Sequence, residues 1–397
     1  MRILHTSDWH LGKTLSGYSR MEEQEEFLKD FVQLAYSNNV DLVIIAGDIF
    51  DSSDPPPKAE AMFYNTLEQL SKNGERLVLV IAGNHDNPNK LVVANPFTKK
   101  HGIIVVGKPK TIVPEGLYGQ HYVKNSGEGF IEIDVNGEKA VILIVPYPSE
   151  KRLNEIVVDN INGGQAQSYV HRMRTLFQKG SEKYRSDTIN LAVSHLFSSG
   201  NELDCISLGK NCFIPGKYFP PKAQYIALGH IHKSQIVPGT NNRARYSGSP
   251  IHYTKQHLDE KKLCLLVDVK VGQDCSVTEL PLKIYKPIEI WSCDSVAAAI
   301  EKCELNQSKN CWVYLRIKTD RPILNMEKNK MKSIKNDIIN IFPVFPDQSL
   351  LDENFDPYLL AEEQNILNLF KAFYLKRTNN IANDDTIALF NSFMEEV

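Results

Sequence analysis

The sequence predicts an α/β protein with mixed sheets, on three observations. Short apolar runs rich in β-branched residues alternate with longer segments whose apolar residues recur at helical spacing. The runs end repeatedly in polar clusters. A hairpin signal, Asn136-Gly137, interrupts the alternation, so some strands must be antiparallel. Taken in order, residues 3–5, 41–46 and 77–82 read as the first three strands. Residues 22–36 and 58–71 read as the helices between them; Leu28, Phe31, Val32 and Ala35 fall on one stripe that faces a sheet. Residues 103–106, 129–135 and 141–145 add strands, the last two on either side of the Asn-Gly turn, and 189–194 and 224–228 close the series.

Beyond residue 280 the character changes. Pro281, Pro287, Pro322, Pro343 and Pro346 break the chain into short units, which places a boundary within 280–287. Residues 312–318 predict a strand and 327–341 a lysine-rich helix, so 284–345 could form a small α/β module. The last stretch carries Leu359, Leu360, Glu362, Ile366, Leu369, Phe370 and Phe373 at near-helical spacing. Asn379-Asn380 follows, and Asp384-Asp385 caps a second helix over 386–394. The expected organisation is therefore 1–280, 281–346 and 347–397. Neither terminal helix is long enough to stand alone, so each must bury its apolar face on this chain or on a partner.

Composition bounds the function classes. At 397 residues the chain has room for two or three domains, with enough core to need no disulfide or metal staple. The seven cysteines (Cys205, Cys212, Cys264, Cys275, Cys293, Cys303, Cys311) are odd in number and lack C-x-x-C spacing, which argues against a disulfide framework and points to a reducing cytoplasm. The longest apolar runs fall far short of the roughly 20 residues of a membrane span, and no signal peptide is expected. With 45 basic and 48 acidic side chains, the net charge of −3 gives no global basic footprint, so any nucleic-acid contact must come from a local patch.

The informative feature is where the polar clusters fall. Asp8-Trp9-His10 follows the first strand, Gly47-Asp48 the second, Gly83-Asn84-His85-Asp86 the third, His195 the fourth and Gly229-His230-Ile231-His232 the fifth. In open α/β sheets ligands gather at the carboxyl ends of strands, so clusters far apart in sequence can converge. Glycine before Asp48, Asn84 and His230 permits close backbone approach. Asp8, His10, Asp48, Asn84, His195, His230 and His232 are too many ligands for one tetrahedral ion. They suit two, with one carboxylate bridging, and thiolate-free oxygen and imidazole donors favour Mn²⁺, Fe²⁺ or Zn²⁺. Two such ions outweigh the charge of Asp8 and Asp48 and would attract a phosphodiester. His85, left over beside a ligand, suits a general acid that protonates the leaving oxygen. Singly, each of these residues is more often a turn cap or a packed imidazole; jointly, five strand ends with ligand chemistry are a poor match to coincidence.

The ordered pattern D-x-H, G-D, G-N-H-D, H and G-H-x-H resembles the calcineurin-like metallophosphoesterases. Residues 1–12 (M-R-I-L-H-T-S-D-W-H-L-G), 47–51 (G-D-I-F-D), Pro55-Pro56, 83–86, 225–232 and 246–250 (Y-S-G-S-P) resemble, more narrowly, the SbcD family of bacterial DNA-repair nucleases. The resemblance covers the catalytic region strongly and the last 110 or so residues only in layout. It implies that Asp8, His10, Asp48 and His232 hold one ion while Asp48, Asn84, His195 and His230 hold the other, with Mn²⁺ as working ion and His85 as acid. It implies a four-layer αββα sandwich, a small DNA-contacting capping domain, and a C-terminal helical segment that docks the coiled coil of an SbcC-type ABC ATPase. It further implies a homodimer within a heterotetramer and cytoplasmic, nucleoid-associated work in repair, recombination and replication. The substrates implied are duplex ends, cut exonucleolytically 3′ to 5′, and hairpins and single strands, cut endonucleolytically. One position differs within the wider family, where relatives carry His in place of Asp51; Asp51 would then orient a histidine or a water.

Rival readings are a small-molecule or cyclic-nucleotide phosphodiesterase on the same metal set, and a DNA-end-binding scaffold with a vestigial site. A phosphoprotein phosphatase is disfavoured because residues 47–53 read G-D-I-F-D-S-S and lack that class's Arg. The stretch 7–14 ends in Gly12-Lys13-Thr14 like a phosphate loop, but Ser7 stands where Gly is required. Lys13, Lys58, Lys90, Lys99, Lys100 and Lys255 are candidate phosphate contacts, and Tyr18 and Tyr253 candidate stacking platforms, although packing is the commoner use of such tyrosines.

Overall fold

The structure, a computed structural model, describes residues 1–153, 164–198, 214–255 and 258–344, with Phe370, Tyr374, Thr386 and Ile387 beyond. The expected helix-turn-helix over 347–397 thus lies almost wholly outside the described residues. The described chain falls into two compact units, Met1–Ile288 with Asn310–Trp312, and Glu289–Lys309 with the residues from Val313 onward.

In chain order the first unit runs β1 (Arg2–Thr6), β2 (Thr14–Leu15), β3 (Tyr18–Ser19), α1 (Met21–Ser37), β4 (Leu42–Ala46), α2 (Pro57–Ser71), β5 (Leu77–Ile81), α3 (Pro88–Leu91), α4 (Asn95–Thr98) and β6 (Ile103–Val106). It continues through β7 (Gly116–Tyr118), β8 (His121–Gly127), β9 (Phe130–Val135), β10 (Glu138–Val145), α5 (Glu150–Leu153), α6 (Gly164–Ser181), β11 (Ile189–His195) and β12 (Tyr225–Gly229). The unit ends with β13 (Gln235–Ile236), β14 (Ala244–Tyr246), β15 (Leu263–Asp268) and β16 (Ser276–Pro281).

Two sheets result. One has the order β16-β15-β1-β4-β5-β6, parallel from β1 to β6; the other has the order β13-β14-β12-β11-β10-β9-β8-β7, parallel from β10 through β11 and β12 to β14. Strands buried on both faces need continuous apolar runs, and β4 (LVIIA) and β5 (LVLVI) are buried at every position. Alternate residues divide between two cores. Ile3, Leu42, Ile44, Leu77 and Leu79 face Ile131, Ile142, Leu191 and Val193 of the other sheet. Leu4, Val43, Ile45, Val78 and Val80 turn outward onto Phe27, Phe31, Phe63 and Leu67 of α1 and α2. On the far side Val141, Leu143, Ala192 and Ile226 meet Met173 and Phe177 of α6. The layers are therefore helix, sheet, sheet, helix, the αββα sandwich that the resemblance implied.

The second unit carries β17 (Ile288–Cys293) and β18 (Trp312–Lys318) apart from the first residue of each, with α7 (Val296–Leu305), α8 (Asn325–Ile334) and β19 (Ile338–Val344), in a three-stranded sheet of order β17-β18-β19. The single helix expected over 327–341 is corrected: helix stops at Ile334 and Ile338–Val344 is a strand parallel to β18. The β-branched run Ile338-Ile339-Asn340-Ile341 suits a pleated surface, and pairing with β18 outweighs the local lysine-rich helical signal.

Candidate metal centre

The five clusters meet at the carboxyl edges of β1, β4, β5, β11 and β12. Turning the chain there is costly: Asp8, His10, Asp48 and His230 have φ of 55°, 44°, 50° and 104°, a region that L side chains rarely adopt. Such strain persists where the surroundings over-determine it and gathers at functional sites. The loops brace one another, with the Asp8 N–H donating to Gly47 O (3.0 Å), that of His10 to Asp48 O (3.0 Å) and that of Leu11 to Ile49 O (2.8 Å). Glycine is required by proximity at two places. A Cβ on Gly83 would lie 2.1 Å from Asp48 Oδ1, and one on Gly229 2.0 Å from Ala46 O.

Donor atoms of the candidate ligands converge into two groups with Asp48 close to both, and His10 also groups with Asp51 and His85. Asp8, His10 and His232 form one cluster of ligand atoms within 4.8 Å, and Asp48, His195 and His230 another. Asp48 Oδ2 lies between them, 3.6 Å from His10 Nε2 and 3.4 Å from His195 Nε2. The Nε2 atoms of His10 and His232 face each other at 3.0 Å. Asn84 Oδ1 is 3.0 Å from His195 Nε2 and 2.9 Å from His230 Nδ1. His195 Nδ1 is 2.8 Å from Ala46 O; a carbonyl only accepts, so this nitrogen carries a proton and leaves Nε2 for the centre.

The electrostatics suit bound cations. Burial pushes the Asp8 carboxyl up, and the Asp48 charge adds to it. Asp48 is held well below the carboxylate range because His195, His10 and His85 outweigh its burial. Burial takes His230 and His232 down to about 3, aided by neighbouring His195 and His10 respectively, so both are neutral lone-pair donors near pH 7. Burial would lower His195 as well, but Asp48 and Asp8 prevail and raise it to about 9. The same negative potential of Asp48 and Asp8 that raises His195 would favour a divalent cation at this point. Charge, donor type and convergence all fit divalent ions, and no other role accounts for four imidazoles, a carboxamide and two carboxylates at one largely buried point.

His85 is exposed, its ring 4.8 Å edge-on from that of His10, with its backbone N–H donating to Asp48 Oδ1 (2.9 Å). Its Nδ1 is 2.8 Å from Asp51 O, so Nδ1–H donates there and Nε2 points away from that bond. The Asp51 carboxylate, lowered to about 2 because His10 and Lys13 outweigh its burial, sits 3.3 Å from His10 Nδ1 and 2.7 Å from Lys13 Nζ. Tyr253 is buried with its hydroxyl donating to Trp9 O, so packing is its use and not base stacking. Lys90 is engaged by Asp54 (3.0 Å) and Glu60 (2.9 Å).

Sequence reasoning missed the residues that hold the loops. Asp86 accepts from the N–H groups of Gly83 (2.8 Å), Ile49 (3.2 Å) and Phe50 (3.0 Å), stitching the second cluster to the third. Arg152 of α5 donates to Gly83 O (2.6 Å) and Asp86 O (2.7 Å), bracketing Asn84 and His85. Asp86 was visible as the end of G-N-H-D; Arg152, 66 residues later, had no local signal.

The family model of the calcineurin-like phosphoesterases matches residues 1–234, which include all seven candidate ligands. The SbcD subunit of the nuclease SbcCD from Bacillus subtilis is 33% identical over 397 residues, 98% of this chain and 97% of that protein. The chain belongs to the calcineurin-like phosphoesterase family, in the branch of the SbcD nuclease subunits. The Escherichia coli K12 protein of the same name is 29% identical over 346 residues, 83% of this chain and 80% of its own length. This phosphoesterase thus combines the family's pattern with a buried, cation-seeking donor set, and it is a metal-dependent hydrolase of phosphoesters. No helix among its described residues is long and apolar enough to cross a membrane.

Proposed function

We propose that this phosphoesterase is a two-metal DNA nuclease, cutting duplex ends from 3′ to 5′ and opening hairpins and single strands. It acts in the cytoplasm, with an SbcC-type ABC ATPase docked through residues 347–397, in repair, recombination and replication. The observation that carries the reading is Asp48 Oδ2 within 3.6 Å of His10 Nε2 and 3.4 Å of His195 Nε2, which supports a role for this carboxylate toward both ions. Asp8, His10, Asp48 and His232 would hold one Mn²⁺, and Asp48, Asn84, His195 and His230 the other. When bound, the ions supply Lewis acidity toward the phosphate and a water that deprotonates near neutral pH.

The chain's own groups do the rest. His85, anchored at Nδ1 by the Asp51 carbonyl, delivers the proton at Nε2 to the departing 3′ oxygen. The Asp51 carboxylate orients the His10 ring from its Nδ1 side and holds Lys13 beside the site. A homodimer, with Val93 (71% exposed) and Phe97 (77%) on the shared face, would bring two such sites to one DNA.

The test is cleavage of end-labelled linear duplex, hairpin and single-stranded DNA with Mn²⁺, beside bis-p-nitrophenyl phosphate. Asp48→Asn should abolish cleavage through loss of metal, whereas His85→Ala should keep both ions and cut DNA about 10²–10⁴-fold more slowly. Cleavage of His85→Ala at the wild-type rate would remove the acid assignment. Hydrolysis of only the chromogenic diester, even with ATPase partner and ATP added, would favour a small-molecule phosphodiesterase.

A further inference from the structure

The Y-S-G-S-P segment over 246–250 has no part in ligation, yet it runs beneath two of the candidate ligands. Ser247 Oγ lies 2.8 Å from Ser7 Oγ, and Ser7 in turn donates to the Asp8 carboxylate. Gly248, at φ 78°, touches the turn after His232: a Cβ there would be 2.8 Å from both His232 O and Ser234 N. The Ser249 N–H donates to the same His232 carbonyl at 3.1 Å.

That carbonyl has a second donor, and it is charged. Lys262, 8% exposed and immediately before β15, donates from Nζ to His232 O at 3.0 Å and to Ser249 Oγ at 3.2 Å. Its own carbonyl accepts from Leu282 N (2.8 Å), so its stem is fixed. Among the described residues the ammonium has no carboxylate within ion-pair distance. Burying an ammonium whose hydrogen bonds go only to a carbonyl and a hydroxyl, with the Glu260 and Asp8 charges acting on it only from beyond ion-pair distance, costs several kcal/mol, and an apolar side chain of the same length would avoid that cost. The cost is understandable if the charge is needed where it sits. Both lone pairs of the His232 carbonyl are then taken, one by a charge-assisted bond, and the residue's backbone is pinned where its imidazole must reach Nε2-to-Nε2 with His10. The other half of the centre, Asn84, His195 and His230, has no bond to Lys262 or Ser249 among the described residues.

We infer that Lys262, with Ser249, is a positioning residue that sets the affinity of the Asp8–His10–His232 half-site for its divalent ion and leaves the Asn84–His195–His230 half-site unchanged. The inference rests on the two-ion reading above, and its test separates the two. Mn²⁺ is titrated into the metal-free full-length chain by calorimetry, with the Mn²⁺ EPR spectrum recorded at saturation of the tighter site and thermal melting of the metal-free protein as a check on folding. Wild type should take up two ions and give the spectrum of a spin-coupled pair. Lys262→Met should bind one ion as wild type does and the other about 10- to 100-fold more weakly, with the spectrum of isolated ions in its place. Ser249→Ala, which keeps the ammonium, should weaken the same ion by a smaller factor, and it carries the test if Lys262→Met does not fold. Two ions bound at wild-type affinity in a folded variant, or equal weakening of both, would overturn the inference. A wild type that takes up fewer than two ions would overturn the ligand assignment beneath it.

Discussion

At the scale of single residues, burial decides what each histidine can do. His5 lies fully buried in β1, its Nδ1 2.8 Å from the Tyr225 hydroxyl, and burial takes it from 6.5 down to about 3. The unfolded chain therefore takes up a proton on this ring below pH 6.5 that the folded chain refuses until about pH 3. Stability contributed by neutral His5 is intact above pH 6.5 and is lost as the pH falls through that window, by up to about 1.4 kcal/mol per pH unit. His5→Gln keeps an acceptor for Tyr225 and cannot titrate, so urea unfolding from about pH 7 to about pH 4 should show an acid slope smaller by about one proton. An unchanged slope would mean that the ring is protonated in the folded state. The seven candidate ligands were legible at this scale because they sit in short clusters beside five strand ends. Asp86 stood in such a cluster without its role being marked, and Arg152 and Lys262 stood in none, because all three act largely through backbone carbonyls or N–H groups, which nearly every residue possesses.

At the scale of elements, the loops after β4, β5 and β12 work because glycine lets one loop lie against the next. Gly83→Ala tests this: its Cβ would fall 2.1 Å from Asp48 Oδ1 and 2.2 Å from Asp48 N, a backbone atom that cannot swing aside. The variant should lose about 1–3 kcal/mol of stability and all tight Mn²⁺ uptake, read by denaturant melts and calorimetry. Wild-type metal binding would mean that the loop can move apart without disturbing Asp48. Helices and strands of the sandwich were legible because their periods are strong; α1 and α2 were expected to within one residue at each end. The helix expected over 327–341 failed because short segments take their state from neighbours, and the partner of Ile338–Val344 is a strand that local spacing does not reveal.

At the scale of the whole molecule, surfaces take over from motifs. Phe97 (77% exposed) and Val93 (71%) are large apolar side chains left in water, and they are the face that the proposed homodimer would cover. On the proposed homodimer, wild type should sediment as a dimer and Phe97→Asp as a monomer, with fold and Mn²⁺ stoichiometry intact; a monomeric wild type would remove the homodimer. A dimer of unchanged strength would exclude this face. The sequence by itself determined the α/β class, the five ligand-bearing strand ends and the reading as a two-metal phosphoesterase, because strand period and strand-end chemistry are local and survive in one dimension. Only the tertiary structure decided which donor atoms come within reach of one another, which backbones are strained to hold them, and which buried charges stand behind them. Those depend on contacts between residues as far apart as Asp8 and His230, whose separation along the chain carries no trace of their meeting.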